Sequence, residues 1–357
     1  MKKSATLISS LRTLNTTVMF IILLLGFVFG AILQYARLNR FDVIMGLSVR
    51  EDFTVPKAIA LAVGIGAILL NIEIALGVAS YHVKPLILGG IMLGGLIFGA
   101  GMAILGYCPG TMAVSLGEGS MDALTGILGG LTGGVVYTLL LPSFRPLLGP
   151  DLGTLSLESV ISNTTLFFIL LVLLAALFIL IAFWLHRIDK NRERKWIPAG
   201  IALAVLDVAV FSHGVANRPI GASTSYPYLG DLLTGLTRND YFSSIEASGH
   251  WELIFLAGAF VAGLVGSLLR REFRIVLLHE NWLKYKGNSS VGRIFWAFAG
   301  GFILIFGARM AGGCTSGHIL SGGMQIAFSS LIFAVFVFAG LLATGQVFYL
   351  SGKKRPS

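Results

Sequence analysis

Charged residues are scarce in this chain. Lysine, arginine, aspartate and glutamate make up 12% of its 357 residues, whereas hydrophobic residues make up 55%. A soluble globular domain carries about 25% charged residues, so this composition excludes a soluble protein and indicates an integral membrane protein. The short alternating segments of a membrane β-barrel are also lacking, which leaves helices as the spanning elements. The sequence therefore predicts an all-α integral membrane protein.

Signatures of cofactors, metals and nucleotide hydrolysis are lacking as well. No Walker motif and no quinone, haem or flavin signature is visible in the sequence. The chain has only two cysteines, Cys108 and Cys314. Without a nearby histidine pair they supply too few soft ligands for a metal, although His318 lies four residues after Cys314. We therefore expect neither a metal nor a cofactor.

The basic residues are concentrated in the connections between apolar segments. The net charge is +9, and the richest cluster is HRIDKNRERK in the connection 186–196, followed by basic residues at 270–293 and 353–355. Lysine and arginine in this pattern mark the cytoplasmic connections of a membrane protein, so nucleic acid is not the expected partner. We expect all three clusters to face the cytoplasm and the apolar segments to contact a lipid bilayer.

The apolar segments predict about nine transmembrane or part-spanning helices in one polytopic domain, 1–357. Each is long enough to cross, wholly or in part, a hydrocarbon core of about 30 Å. They lie near residues 18–36, 57–80, 86–107, 122–141, 164–185, 197–212, 252–270, 294–312 and 326–350. Counting the spans from the cytoplasmic basic clusters places the connections 142–163 and 213–250 on the outer side of the membrane. The same count places the N-terminus outside, against the charge of Lys2, Lys3 and Arg12.

An internal repeat contains both cysteines. IFGAGMAILGYCPGT, ending just after Cys108, aligns with IFGARMAGGCTSGH around Cys314. The span count gives the two segments opposite directions, so we expect two inverted repeats, 18–141 and 197–350, with re-entrant helix breaks at the cysteines. Proline and glycine break the first at Pro109 and Gly110, and glycines break the second at Gly312 and Gly313.

The residues that follow each break are candidates for binding an anion. A helix that starts near Thr111, or near Thr315 and Ser316, directs free backbone N–H groups and hydroxyls into the break. The backbone of Gly110 and Gly313 allows close approach there. A thiol is a weak donor with a soft surface, which suits a sulfur-containing anion.

Arg309 is the most informative charge within an apolar segment, because such charges are costly. It either contacts an anion or pairs with a buried acid such as Glu73 or Asp207. The segment NRPIGASTSYPYLGDLL, 217–233, is either an ordinary loop or a re-entrant, mouth-lining segment.

The motifs GARMAGGCTSGH and GYCPGT, together with RPIGASTSYPYLG, resemble the YeeE/YedE family of sulfur transport membrane proteins. The resemblance implies a bacterial inner-membrane protein that imports thiosulfate. It also implies that Cys108 is the central relay cysteine and Cys314 the relay cysteine of the second repeat, both forming S–H hydrogen bonds to the substrate. Family members typically carry a third cysteine in a pattern like QRGRFCF. Here the stretch is QYARLNR, with Asn39 at the cysteine position and Arg37 retained.

We therefore expect a transporter for thiosulfate or a related soft anion, and not an enzyme. The binding candidates are Cys108, Cys314, Asn39, Arg37, Arg309, Gly110, Thr111, Gly313, Thr315 and Ser316. The alternatives are a membrane thiol oxidoreductase or sulfurtransferase, in which the cysteines form a disulfide or persulfide, and a transporter of a selenium-containing anion. By the same resemblance, a separate small sulfur-carrier protein is a possible cytoplasmic partner.

Overall fold

A computed structural model describes residues 15–237 and 239–351. The basic residues near both termini, Lys2, Lys3, Arg12 and those at 353–355, lie outside this range. The described part is helical, and its only β-structure consists of isolated β-bridges between single pairs of residues. The helices are α1 (Thr16–Tyr35), α2 (Phe41–Ser48), α3 (Thr54–Ala75), α4 (Leu88–Leu105), α5 (Pro109–Gly117), α6 (Met121–Leu148), α7 (Leu157–Val160), α8 (Thr164–Ile188), α9 (Trp196–Phe211), α10 (Ser225–Thr234), α11 (Asp240–Leu269), α12 (Glu280–Lys286), α13 (Ser290–Met310), α14 (Ser321–Met324) and α15 (Phe328–Gly345). π-Helical turns cover Thr315–Leu320 before α14 and Gln346–Leu350 after α15.

Eight segments of the described chain are long and apolar enough to cross a membrane, and α9 is a shorter apolar helix. The all-α, multi-pass membrane class is therefore confirmed. Two helices extend further than their apolar segments. α6 continues to Leu148 through two prolines. α11 begins at Asp240, because the side chain of Asn239 accepts a hydrogen bond from the Phe242 N–H at its N-terminus.

The two ends of the helical bundle differ in their connections. At one end, Asp189 pairs with Lys57 at 2.6 Å, and Lys284 pairs with Glu51 at 2.9 Å. The Phe53 N–H also donates to Asp189, at 3.2 Å. These contacts join the start of α3 and the connections 36–53, 189–195 and 270–289 at what we call the basic end. At the opposite end, Ile87 bridges to Asp151, and Ser156 bridges to Ala327.

The first helix begins at the opposite end. α1 packs parallel to α11, since Gly26 lies against Phe255 and Gly30 against Ala259. α11 runs towards the basic end, so Asn15 lies at the other end, as the span count predicts.

α4 and α13, the two helices that lead to the cysteines, pack against each other in opposite directions. A Cβ atom on Gly94 would lie 2.7 Å from the Gly307 carbonyl oxygen, and one on Gly300 would lie 2.8 Å from the Leu105 nitrogen. The small residues allow the backbones to approach this closely. Antiparallel packing is what inverted repeats require, although the repeat assignment itself stays a prediction.

Candidate functional site

The first break lies between α4 and α5 and ends at Cys108. Gly106 adopts φ 79°, in the left-handed region, and the Phe41 ring fills the space where a side chain would stand. The Cys108 N–H donates to the Thr111 hydroxyl at 2.8 Å, and this hydroxyl donates to the Cys108 carbonyl at 3.0 Å. These two bonds fix the cysteine backbone at the start of α5.

A buried ionic network supports this break from the basic end. Arg293 donates to the Leu105 carbonyl at 2.6 Å, where α4 ends, and to the Asp122 carboxylate at 2.6 Å. Tyr107 donates to Asp122 at 3.2 Å and lies 3.0 Å from His279 Nε2. Arg293 and Asp122 are fully buried. Arg293 therefore satisfies carbonyl groups that the broken helix leaves without intrahelical partners.

The second break lies between α13 and the π-helical turn Thr315–Leu320. Gly312 adopts φ 74°, and Lys84 Nζ donates to its carbonyl at 2.6 Å. His318 Nε2 lies 2.8 Å from the Ala311 carbonyl. Cys314 is buried, and its sulfur lies 3.3 Å from the Ser316 hydroxyl.

Residues of both breaks line one cavity of about 80 Å³. Cys108 and Thr111 contribute from the first break, and Thr315 and Ser316 from the second; most of the remaining wall is aliphatic and aromatic. Both cysteines are free thiols. The buried Thr315 hydroxyl has no hydrogen-bond partner among the described residues. The cavity therefore offers a hydroxyl and a thiol at the meeting point of the two breaks.

The segment 217–233 is mostly buried and contacts both breaks. Tyr226, in α10, donates to the Pro109 carbonyl at 2.9 Å. Arg309 donates to the hydroxyls of Ser223 at 3.2 Å and Thr224 at 3.0 Å. The segment is therefore a buried one that contains the helix α10, and its re-entrant, mouth-lining role stays a prediction.

Arg309 is buried but forms no ion pair among the described residues. Besides two hydrogen bonds to Ser223 and Thr224, it donates to the Tyr241 hydroxyl at 2.7 Å. Neither Glu73 nor Asp207 neutralises it. The structure therefore leaves its positive charge available to the second break.

Lys84 lies near Cys314, two further cations and one carboxylate. The cations are Lys84, Arg218 and Arg309, and Glu252 lies 3.8 Å from Arg218. Glu252 also accepts the Thr224 N–H at 2.6 Å. Burial, together with the nearby Arg309 charge, lowers the pKa of Lys84 to about 8. The surplus of positive charge favours an anion at this mouth.

Lys84 is a functional candidate that the sequence interpretation missed. It lies in the connection 76–87, outside every apolar segment, and its contact with Gly312 spans 228 positions. The repeat contains a usable signal: with Ile97 aligned to Ile305, Lys84 falls one residue from the position of Arg293. Lys84 lies just before α4 and donates to a carbonyl at the second break. Arg293 lies in the first turn of α13 and donates to carbonyls at the first break.

The remaining sequence candidates lie in different places. Gly110 faces Phe29 and Ala222, and Gly313 lies against the Lys84 ammonium. Asn39 is buried beside α5, where its amide donates to Glu118 at 3.0 Å and Ser115 at 3.3 Å.

Arg37 is exposed at the basic end with φ 58° and does not line the cysteine cavity. Below Asn39, a cavity of about 180 Å³ is lined by Arg40, Ser115, Glu118, Arg274 and His279, among others. The structure thus brings Asn39 to the basic-end side of the first break, and leaves Arg37 apart from it.

Comparison with known proteins connects this geometry to a family. Residues 36–343 match the family described as sulphur transport. The chain is also 26% identical over 332 residues to the thiosulfate transporter TsuA of Spirochaeta thermophila, a match that covers 89% of this chain and 95% of that relative. The family match includes both cysteine breaks.

Proposed function

Because the chain belongs to the sulphur transport family, we propose that it carries thiosulfate across the membrane through the cavity that Cys108 lines together with Thr315 and Ser316, the two residues that follow Cys314. The family and the similar TsuA are transporters, so the chain is a transporter and not an enzyme. The observation that carries the proposal is the meeting of both cysteine breaks at one small cavity.

The anion first meets the positive mouth beside Cys314. Lys84 forms one hydrogen bond among the described residues, to the Gly312 carbonyl, and an ammonium has three donors. Two of its N–H groups therefore remain for an anion. Arg309 adds positive charge behind the Ser223 and Thr224 hydroxyls.

The next step places the anion between the two breaks. The unpartnered Thr315 hydroxyl and the Cys314 thiol donate to it from one side, and the Cys108 thiol from the other. A cavity of about 80 Å³ holds a few waters or one small inorganic anion. Because the wall is mostly apolar, it favours a soft sulfur surface over a strongly hydrated oxyanion.

The exit leads along α5 to the basic end. Thr111 and Ser115 lie about one turn apart on this helix, and Ser115 contacts Asn39. Asn39 thus stands where the family pattern has a third relay thiol, and the cavity containing Arg40 and Arg274 lies beyond it. We place this end in the cytoplasm and the chain in the bacterial inner membrane, because basic connections face the cytoplasm. A separate sulfur-carrier protein is the expected recipient there.

Uptake of ³⁵S-thiosulfate tests the proposal in cells that lack their own sulfate and thiosulfate importers. The intact chain should support uptake, and Cys108→Ala should abolish it at equal membrane abundance. Cys314→Ala should reduce it. Leu128→Ala, on a half-exposed lipid-facing side chain, is the matched control and should transport normally.

Normal uptake by both cysteine variants would contradict the thiol relay. No uptake by a well-expressed intact chain would contradict thiosulfate as the substrate. Uptake of a ⁷⁵Se-labelled selenium-containing anion by the same cells would then test the alternative substrate.

A further inference from the structure

A second polar site lies on the far side of the Cys314 break, around Asp207. This residue belongs to α9 and is fully buried. Its Oδ1 atom accepts hydrogen bonds from the Ser321 hydroxyl at 2.9 Å and from the Ile220 N–H at 3.4 Å. Its Oδ2 atom is buried and has no partner among the described residues.

No cation neutralises Asp207 in the described part of the chain. Charged and titratable groups on the elements packed around it are Lys57 and Glu73 on α3, His82 and Lys84 in the connection 76–87, Arg218, His213 and His318. Lys57 pairs with Asp189, Arg218 with Glu252, and Lys84 bonds to Gly312. His318 bonds to Ala311 and Ser330. His82 lies 3.2 Å from Asn217, and His213 lies 2.8 Å from Ser80.

An unpaired buried carboxylate costs several kcal/mol, so the neutral carboxylic acid is the favoured form in this closed site. The same carboxyl group becomes charged, and so releases its proton, when water reaches it. Its protonation can therefore change with the conformation of the site. Intramembrane carboxyl groups of this kind mark proton pathways.

The two partners of Asp207 connect it to the proposed anion path. Ser321 lies seven residues after Cys314, directly after the π-helical turn that begins at the break. The carbonyl of Ile220 lies close to Gly317 in that turn. A movement of the turn that admits the anion therefore disturbs both hydrogen bonds to the carboxyl.

We propose that Asp207 is a proton-binding site that couples proton movement to anion uptake, which makes this chain a proton–anion symporter. This inference rests on the proposed function. In each cycle a proton enters from the opposite end, resides on the Asp207 carboxyl while the anion occupies the cavity, and leaves at the basic end. No bond other than the carboxyl O–H forms or breaks. Loss of the Ser321 and Ile220 donors destabilises the carboxylate and favours the neutral acid, so anion entry favours proton binding, and by linkage proton binding favours anion binding to the same extent.

Purified full-length chain in proteoliposomes tests the coupling. The vesicles contain a pH-sensitive dye, the membrane potential is held at zero with potassium and valinomycin, and ³⁵S-thiosulfate is added outside. The intact chain should acidify the lumen only when thiosulfate is present. A gradient of one pH unit, acid outside, should raise the accumulation ratio about tenfold for each coupled proton.

Asp207→Asn keeps the shape and both hydrogen bonds but binds no proton. It should lose thiosulfate-dependent acidification and the response to the gradient, while exchange of internal for external thiosulfate at equal pH persists. That exchange shows that the variant is folded. Glu73→Gln is the matched control and should behave as the intact chain does.

Uptake by the intact chain that is indifferent to the pH gradient, or that follows a sodium gradient instead, would overturn the inference and leave the proposed function standing. Normal proton entry with Asp207→Asn would overturn it too. No thiosulfate uptake under any gradient would contradict the proposed function, and the symport with it.

Discussion

Removing the charge of Lys84 should weaken capture of the anion at the mouth beside Cys314. Its ammonium donates to the Gly312 carbonyl at 2.6 Å and keeps two further N–H groups for a substrate. A hydrogen bond to a charged group contributes about 1.5–3 kcal/mol. At about 1.4 kcal/mol per tenfold, Lys84→Met should lower kcat/KM for thiosulfate about 10- to 150-fold.

The pH dependence gives this prediction a second, independent readout. Burial lowers the pKa of Lys84 to about 8, so the charged form that binds an anion is present below that pH and is lost above it. With equal pH on both sides of the vesicle, kcat/KM of the intact chain should fall about tenfold per unit above the pKa. Lys84→Arg should remove this fall, because a guanidinium stays charged.

Initial rates of ³⁵S-thiosulfate uptake between pH 6 and about 10 provide the measurement. Arg145→Met, which removes a cation from another cavity at the same end of the bundle, is the matched control and should leave kcat/KM nearly unchanged. The reasoning is refuted if Lys84→Met transports normally, or if Lys84→Arg shows the same loss at high pH as the intact chain.

Three further substitutions test other parts of the structure. Gly307→Ala places a Cβ atom 2.5 Å from the Phe98 nitrogen and should cost about 1–3 kcal/mol of stability, seen as a lower Tm in detergent; Gly214→Ala, where the nearest atom is 3.9 Å away, should be neutral. Arg293→Met leaves the buried Asp122 carboxylate without its arginine, with Tyr107 and His279 as its remaining contacts, and should cost about 3–5 kcal/mol; an unchanged Tm would show that the network does not support the first break. Asn39→Cys replaces an amide already bonded to Glu118 by a thiol, and should raise the rate of thiosulfate uptake, whereas loss of uptake would indicate that the amide itself contacts the anion.

Local sequence features predicted the class of the protein and the position of its breaks. Apolar segments must satisfy their backbone groups internally, so length and hydropathy alone indicate helices. Pro109 suits the first position of a new helix, and Gly312 adopts the left-handed φ of 74° that ends one. The repeated cysteine motifs therefore located both breaks and the cavity residues Thr111, Thr315 and Ser316.

Features that depend on contacts between residues far apart in the sequence could not be predicted from local sequence patterns. The first turns of α11 contain polar residues and become helical because Asn239 caps them and α10 packs against them. The sequence left Arg309 between an anion and a buried acid, and offered no means to foresee the hydroxyls of Ser223, Thr224 and Tyr241. Lys84 acquires its role only through a fold that brings residue 84 to Gly312.

The central claim is that thiosulfate passes intact between Cys108 and Cys314 without a covalent step. The most direct test follows thiosulfate labelled with ³⁵S at either the outer or the central sulfur into proteoliposomes that contain the full chain. Transport through hydrogen bonds predicts that both labels enter the lumen in equal amounts and that Cys108→Ala stops both. Outer sulfur retained on the protein while the central sulfur stays outside would contradict the account, because a persulfide would then have formed.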